Sequence, residues 1–387
     1  MTRPFNILIL PERRAAAYLL AAIAFFLVAL AGRNPLVWCL PLIILSILIG
    51  NYIYVHRAAR ALRFENERSR LRLFAGEAAT VPFAFTNTGR LPIVSAEWTA
   101  DMLDRDRALG REAGNQGEYR PMFLMGRETS VYPIDVQAVK RGMVRFPELK
   151  VRVRDLLGLY TAMLTYGGFV RKEICVYPEP IPFPLPQRLS RMEPGALQDR
   201  LSLFEEPTMP RGSRSYREGD PFGTVAWKEA ARTGELRTKE FERVLQTRWI
   251  LAADLSVPQP GHPDEQAAER IFGELAYAMT VAGQKGIETE LWLNVRMAGA
   301  RTHLHVPPGS GPAHMASVLQ MLAGLPAAPA VAPPANMYGG IARSAGRGHV
   351  LLHFGAWREE AAGLERLIRK KGVPVHRLAG EREVEAV

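Results

Sequence analysis

The pattern of hydrophobic and polar positions changes character twice along the chain. Two uncharged apolar runs come first, residues 15–32 and 35–55, parted only by the turn-like Gly32-Arg33-Asn34-Pro35. Each approaches the ~20 residues that a helix needs to cross a bilayer. From about Leu62 to Pro184 apolar and polar residues alternate in short stretches, such as residues 80–86 and 130–136. Asn87-Thr88-Gly89-Arg90 and Lys140-Arg141-Gly142 punctuate them as turns. Further strands are expected over 146–154 and 173–177, and the polar, glycine-containing residues 105–117 read as a long loop. Several short strands with turns between them predict a small antiparallel β-sandwich.

From Arg248 the period changes again. Residues 249–255 are almost continuously apolar, the mark of a strand buried on both faces of a parallel sheet. Residues 264–283 then carry Ala268, Ile271, Phe272, Leu275, Met279 and Ala282 at helical spacing. Strands are expected over 288–295, 301–306, 349–354 and 373–378, helices over 313–322 and 359–371, and a Pro/Ala-rich linker over 326–335. Alternating strands and helices predict an α/β layer around a mostly parallel sheet. The expected organisation is therefore a membrane-anchored multidomain chain. It has an N-terminal transmembrane α-hairpin (1–61), an all-β sandwich-like domain (62–184), a connecting segment (185–247) and an α/β domain (248–387).

Charge bears on topology more than on partners. The chain has 387 residues and a formal net charge of +10. Arg3, Arg13 and Arg14 precede the first apolar run, and Arg57, Arg60 and Arg63 follow the second, against Arg33 alone in the connection. The positive-inside rule then puts both ends in the cytoplasm and the short loop outside, as for a multi-pass protein of the bacterial inner (plasma) membrane. A cleaved signal peptide is the competing reading of the first run, on Ala29-Leu30-Ala31. The second span would still retain the remainder on the cytoplasmic side. The arginines are too dispersed, and too little interleaved with aromatics, for a nucleic-acid surface. Cys39 and Cys175 lie in different kinds of segment and suggest neither a disulfide nor a metal pair.

Enzymatic signatures are scarce. The chain has no Walker phosphate loop, no Gly-x-Ser-x-Gly elbow and no His-Glu-x-x-His. Glu205-Glu206 reads as a solvated pair, and His303 and His305 as solvated or edge histidines. One pair does suggest chemistry. Asp254 and Ser256 stand just past the first α/β strand, where ligands gather in open α/β sheets, and could offer oxygen ligands to Mg²⁺. The element order opened by Asp254-x-Ser256 resembles a von Willebrand factor A domain, a Rossmann-like fold whose adhesion motif has the form Asp-x-Ser-x-Ser followed by a later Thr and Asp. Here Pro258 replaces the second Ser, the loop at 307–312 offers Ser310 and no Thr, and His353-Phe354-Gly355 stands where the Asp is expected. So short a ligand set favours an Asp254 that ties down its own loop over an octahedral cage.

Residues 211–242 are unusually dense in Arg, Gly and paired charge. Asp220 reads as an N-cap with Pro221 at the first helical position, which predicts a helix over 221–232, a stop at Gly234 and a strand over 236–241. Arg211, Arg214 and Arg217 recur by threes around Tyr216 and suit carboxylates or carbonyls. The run Gly212-Ser213-Arg214-Ser215-Tyr216-Arg217-Glu218-Gly219-Asp220, followed by Trp227 to Arg232, Thr233, Gly234, Glu235 and Leu236, resembles the signature of the family catalogued as domain of unknown function 58. Residues 154–160 resemble that family's Asp-Pro-Phe-Gly-Leu-Phe element, with Leu156 in place of Pro. The resemblance implies a hairpin-anchored partner of a MoxR-type AAA+ ATPase, often beside a membrane-bound transglutaminase-like protein, and supplies no reaction. Arg214, Tyr216, Gly219, Asp220, Trp227, Arg232 and Gly234 are the signature residues it singles out, as architecture or as a binding surface.

Overall fold

The computed structural model describes residues 5–32, 38–110, 117–186, 205–243, 247–256, 265–296, 302–355, 357 and 359–378. Side chains are described only from residue 212 to 239 within the 205–243 stretch. The chain forms two compact units, Met1–Tyr177 and Pro178–Val387.

The first unit begins with an element that the hydrophobic pattern did not announce. Strand β1 (Phe5–Pro11) precedes helix α1 (Arg13–Ala31) and helix α2 (Cys39–Ala61). Both helices are long and apolar enough to cross a membrane. Alternation then yields β2 (Leu62–Glu65), β3 (Ser69–Phe74), β4 (Ala78–Asn87), β5 (Ile93–Asp104), β6 (Arg120–Leu124), β7 (Thr129–Gln137), β8 (Gly142–Arg154), β9 (Tyr160–Tyr166) and β10 (Lys172–Tyr177). One sheet runs β1-β9-β8-β10-β3, with β5 joining β8 and β6; the other is β2-β4-β7. Most pairs are antiparallel, but β10 and β3 are parallel. Phe64, Phe83 and Phe85 from the small sheet meet Trp98 and Phe146 from the large one, with ring centroids 5.0 Å apart for Phe83 and Trp98 and 5.3 Å for Phe83 and Phe146. These rings are fully buried and make one aromatic core.

The helices are welded to this body. β1 pairs antiparallel with β9 over its whole length, from Phe5 opposite Tyr166 to Pro11 opposite Tyr160. At the other end, Val55, Ala58 and Ala59 of α2 are buried in the aromatic core, so the last two turns of α2 belong to the β-rich body. Ala15, Leu48 and Leu159 form a small cluster where α1, α2 and the β8–β9 turn meet.

The second unit contains β11 (Glu205–Ser215), a 3-10 turn (Phe222–Thr224), α3 (Trp227–Thr233) and β12 (Arg237–Arg243), with β11 and β12 antiparallel. It continues as β13 (Arg248–Asp254), α4 (Glu265–Lys285), β14 (Glu288–Leu293), β15 (Leu304–Gly309), α5 (Gly311–Gly324), α6 (Ala335–Ser344), β16 (His349–Gly355), α7 (Glu359–Arg369) and β17 (Val375–Leu378). The sheet order is β15-β14-β13-β16-β17, parallel except for β15 at the edge. β13 is central, and its uninterrupted apolarity follows from that position. Strand alternation sends Trp249, Leu251 and Ala253 toward α4 and α5, and Ile250 and Ala252 toward α6 and α7.

The Pro/Ala-rich stretch expected as a linker over 326–335 carries no helix or strand up to Pro334, and it is followed at Ala335 by an element not expected, helix α6, whose Met337, Tyr338 and Ile341 are buried beneath the sheet. One expectation needs correction. The helix expected over 221–232 with Asp220 as its N-cap does not form. Pro221 is extended (φ −62°, ψ 129°), Phe222–Thr224 make a single 3-10 turn, and the α-helix starts at Trp227 with Ala226 as its N-cap. Val225 is pulled into an isolated bridge with Thr238 and is buried, which prevents a continuous helix through it.

Candidate functional site

The segment between β11 and β12 is organised around one carboxylate. Arg214 leaves the end of β11 and forks onto Asp220, Nη1 to Oδ2 at 2.8 Å and Nη2 to Oδ1 at 2.7 Å. The Arg217 N–H donates to Oδ2 at 2.9 Å, and the Thr238 hydroxyl, from β12, donates to the same oxygen at 3.1 Å. Tyr216 donates its hydroxyl to the Asp220 carbonyl at 3.2 Å, and its own N–H bonds the Leu236 carbonyl at 2.9 Å. Asp220 thus ties both strands and the intervening loop together. The Arg214 guanidinium, and after it the Arg217 N–H, hold its carboxyl well below the usual carboxylate range. This is what displaces Asp220 from the capping role: two charge-assisted bonds and two further donors outweigh the open N–H groups of a helix start.

Glycines finish the turn chemistry. Gly219 has φ +104°, within the Arg217–Asp220 turn that the Asp220 N–H closes on the Arg217 carbonyl. Gly234 has φ +76° and caps α3 through its N–H on the Ala230 carbonyl. Arg232 stands exposed in the last turn of α3, the favourable end for a cation. Ser213 hydrogen-bonds the Glu229 carboxylate, and Arg237 donates to the Ser213 carbonyl at 3.0 Å. This braced loop leaves Phe222 at 70%, Trp227 at 62% and Leu236 at 50% exposure. Of the signature residues, then, Arg214, Tyr216, Gly219, Asp220 and Gly234 build the loop, while Trp227 and Arg232 face solvent.

Asp254 and Ser256 lie elsewhere in the second unit, at the carboxyl end of β13. Asp254 is buried, and its Oδ1 accepts from the Ser256 N–H at 2.9 Å and from Asn294 Nδ2 at 2.6 Å. The same Asn294 amide donates to Ser256 Oγ at 2.8 Å and to the Ala332 carbonyl at 3.2 Å. Its Oδ1 accepts the Leu255 N–H at 2.8 Å, which fixes the amide's orientation. Asp254 Oδ2 receives no hydrogen bond among the described residues. Gly355 packs directly against the Asp254 carbonyl, and Pro258 lies outside the described residues. The residues present do not fit a resident Mg²⁺. Asn294 Nδ2 already donates to Asp254 Oδ1 and Ser256 Oγ, which leaves Asp254 Oδ2 alone without a donor, and no group of three or more His, Cys, Asp or Glu gathers among the described residues.

A third polar cluster escaped sequence reasoning. Glu290 is buried within β14, where its carboxylate accepts from Trp292 Nε1 at 3.0 Å and Ser344 Oγ at 2.6 Å and meets His305 Nε2 at 2.9 Å. The Trp292 and His305 rings stack at 3.7 Å. His305 is thus the exposed, edge-strand histidine that was expected, with its ring held by a buried carboxylate. The available signal was a glutamate inside the apolar run of residues 287–295. Glu290 lies between His305 and Ser344, so no hydroxyl–imidazole–carboxylate relay results.

Residues 212–345 match the family described as "Protein of unknown function DUF58". A curated relative is the uncharacterised protein YeaD of Bacillus subtilis (strain 168), 26% identical over 142 residues, which are 37% of this chain and 33% of that protein. The match thus spans a third of the relative's length. Solved structures with partial likeness include the CARDB domain of a Pyrococcus furiosus protein, at 12% identity and a TM-score of 0.17 over 30% of this chain and 87% of that one. Another is a PapD-like domain of human CEP192, at 11% identity and a TM-score of 0.19 over 30% and 84%.

Proposed function

Residues 212–345 make this a DUF58-bearing chain, and from that premise we propose that it is a non-enzymatic interaction protein, anchored in the bacterial inner membrane by α1 and α2 with both termini in the cytoplasm. The observation that carries the reading is the braced loop between β11 and β12. A network built on Asp220 makes the loop rigid, yet the loop leaves Phe222, Trp227 and Leu236 in water. Exposed Trp and Phe in the same segment as the exposed Arg217 and Arg232, on a preorganised support, have the composition of a protein-binding hot spot.

The finer assignments rest on analogy. The parallel sheet with a single antiparallel edge strand supports a von Willebrand A-like reading of the second unit. The two sheets around one aromatic core support a sandwich-like reading of the first. The family resemblance supports a MoxR-type AAA+ ATPase as the docked partner, with a chaperone-like part in maturing a complex and a transglutaminase-like membrane protein as a possible third member. Affinity purification of the tagged full-length protein from membranes is expected to recover the ATPase. The double variant Phe222→Ala, Trp227→Ala should cut recovery about tenfold or more while thermal stability is kept, since two hot-spot aromatics exceed about 1.4 kcal/mol. Undiminished recovery, or an ATPase still recruited to the membrane after deletion of both helices, would sink the proposal.

A further inference from the structure

Helices α1 and α2 do not pack closely along their whole length. At the body-proximal end they part around a cavity of about 570 Å³, within the range of ligand pockets. Its lining includes Ala17, Ala21, Ile47 and Leu157, and only Arg14 and Tyr18 bring polar side-chain groups. Arg14 makes no ion pair or side-chain hydrogen bond among the described residues. The nearest carboxylate in sequence, Glu12, accepts the Thr161 hydroxyl at 2.8 Å.

The depth of this cavity follows from how the helices are held. α2 enters the aromatic core at Val55, so its apolar span ends before that residue. Contact among Ala15, Leu48 and Leu159 puts the start of α1 between about one and two turns short of that point. Arg14 therefore stands at headgroup level, with Tyr18 one turn deeper, an interfacial position that suits both. The β8–β9 turn closes the cavity from the body side. Asp155 makes that turn rigid by accepting the N–H groups of Leu157 at 3.2 Å, Leu159 at 2.8 Å and Tyr160 at 2.7 Å. Leu156 and Leu157 are nonetheless 72% and 52% exposed, two leucines offered outward beside a membrane helix.

We propose that this cleft is a binding site for an anionic phospholipid. One acyl chain lies between α1 and α2, the phosphate sits on the Arg14 guanidinium, and Leu156 and Leu157 dip into the interface beside it. The inference rests on the reading of α1 and α2 as spans. A space lined mainly by Ala, Ile and Leu, with polar groups from Arg14 and Tyr18 alone, suits hydrocarbon better than water. A net negative headgroup is preferred because its phosphate is left for the Arg14 guanidinium alone to neutralise, whereas a zwitterionic lipid brings its own cation to the phosphate.

The test uses full-length protein in nanodiscs of equimolar phosphatidylglycerol and phosphatidylcholine, with the lipid that remains bound read by native mass spectrometry. Bound phosphatidylglycerol should exceed phosphatidylcholine about fivefold, as expected for one interfacial cation. Arg14→Gln should abolish the preference, and Ala21→Trp, which fills the cleft, should abolish retained lipid. Alkaline carbonate extraction of membranes separates the two readings. Protein released by carbonate overturns the spanning reading and the lipid site with it. Protein that stays in the pellet yet shows no preference, keeps it in Arg14→Gln, or fills the cleft with a second copy and no lipid overturns the site alone.

Discussion

His353 is 1% exposed in the middle of β16, and burial pushes its imidazole down to about 4. Its surroundings are the Tyr338 hydroxyl at 2.9 Å, the edge of Trp357 at 4.9 Å, and Arg377, which Glu365 engages at 2.6 Å. The sign of the effect is fixed: the folded state keeps His353 neutral while the unfolded chain protonates near 6.5, so stability is lost as pH falls from about 6.5 toward 4, by up to about 3 kcal/mol. Denaturant unfolding of the second unit within the full-length protein should weaken between pH 7.5 and 5, and His353→Phe should flatten that dependence. An unchanged slope in the variant would assign the loss to other groups. Asp220 acts in the same direction at lower pH, since a depressed carboxyl contributes stability that is lost as pH falls through and below the usual carboxylate range. Asp220→Asn should speed amide exchange at Arg217 and Ala226 without unfolding β13 to β17. Asn294 makes a sharper case. With its N–H shared between Asp254 and Ser256, the native protein should give no calorimetric heat with millimolar Mg²⁺. Asn294→Asp swaps that donor for a second carboxylate, so the variant should be less stable and regain thermal stability when Mg²⁺ is added.

At the scale of elements, packing tells which parts of the sequence could be read. The run from Trp249 to Ala253 was legible because β13 is covered on both faces, and α4 because its buried positions recur at helical spacing. β1 was not, because seven residues beside a long apolar run look like a flank until β9 supplies their partner. α6 hid behind prolines, and only the sheet beneath it reveals why Met337, Tyr338 and Ile341 are there. The loop after β11 was legible as a signature but not as a shape. Its Asp-Pro and Gly obey local capping rules, and the partners that overrule them, Arg214 and Thr238, lie in flanking strands. Two glycines put the same lesson to a test. A Cβ on Gly355, at φ +88°, would stand 2.1 Å from the Asp254 carbonyl oxygen, so Gly355→Ala should cost several kcal/mol and lower the soluble yield. Gly363, within α7, has nothing within 4 Å of such an atom, so Gly363→Ala should be neutral or stabilise by up to about 1 kcal/mol. Thermal melts of the pair separate backbone strain from helix propensity.

For the whole molecule, the weld between helices and β-rich body constrains topology independently of charge. β1, which leads into α1, is a strand of the same sheet as β8 and β9, and the end of α2 is buried in the core beneath that sheet. Both body-side helix ends must therefore lie on one side of any membrane that the two helices cross, and the α1–α2 connection on the other. The arginines add the direction, since they flank the body-side ends. Impermeant maleimide labelling can read this once Cys39, the exposed first residue of α2, is replaced. The other native thiol competes poorly, since burial raises Cys175 to about 11. In a Cys39→Ala background, a thiol introduced by Gly32→Cys, at the end of α1, should react in intact cells. One introduced by Glu360→Cys, in the first turn of α7, should react only after the inner membrane is permeabilised. The reverse order would put residues 212–345 outside the cell and would overturn the proposed pairing with an ATPase. Labelling of both sites in intact cells would show that the two helices do not form a spanning hairpin at all.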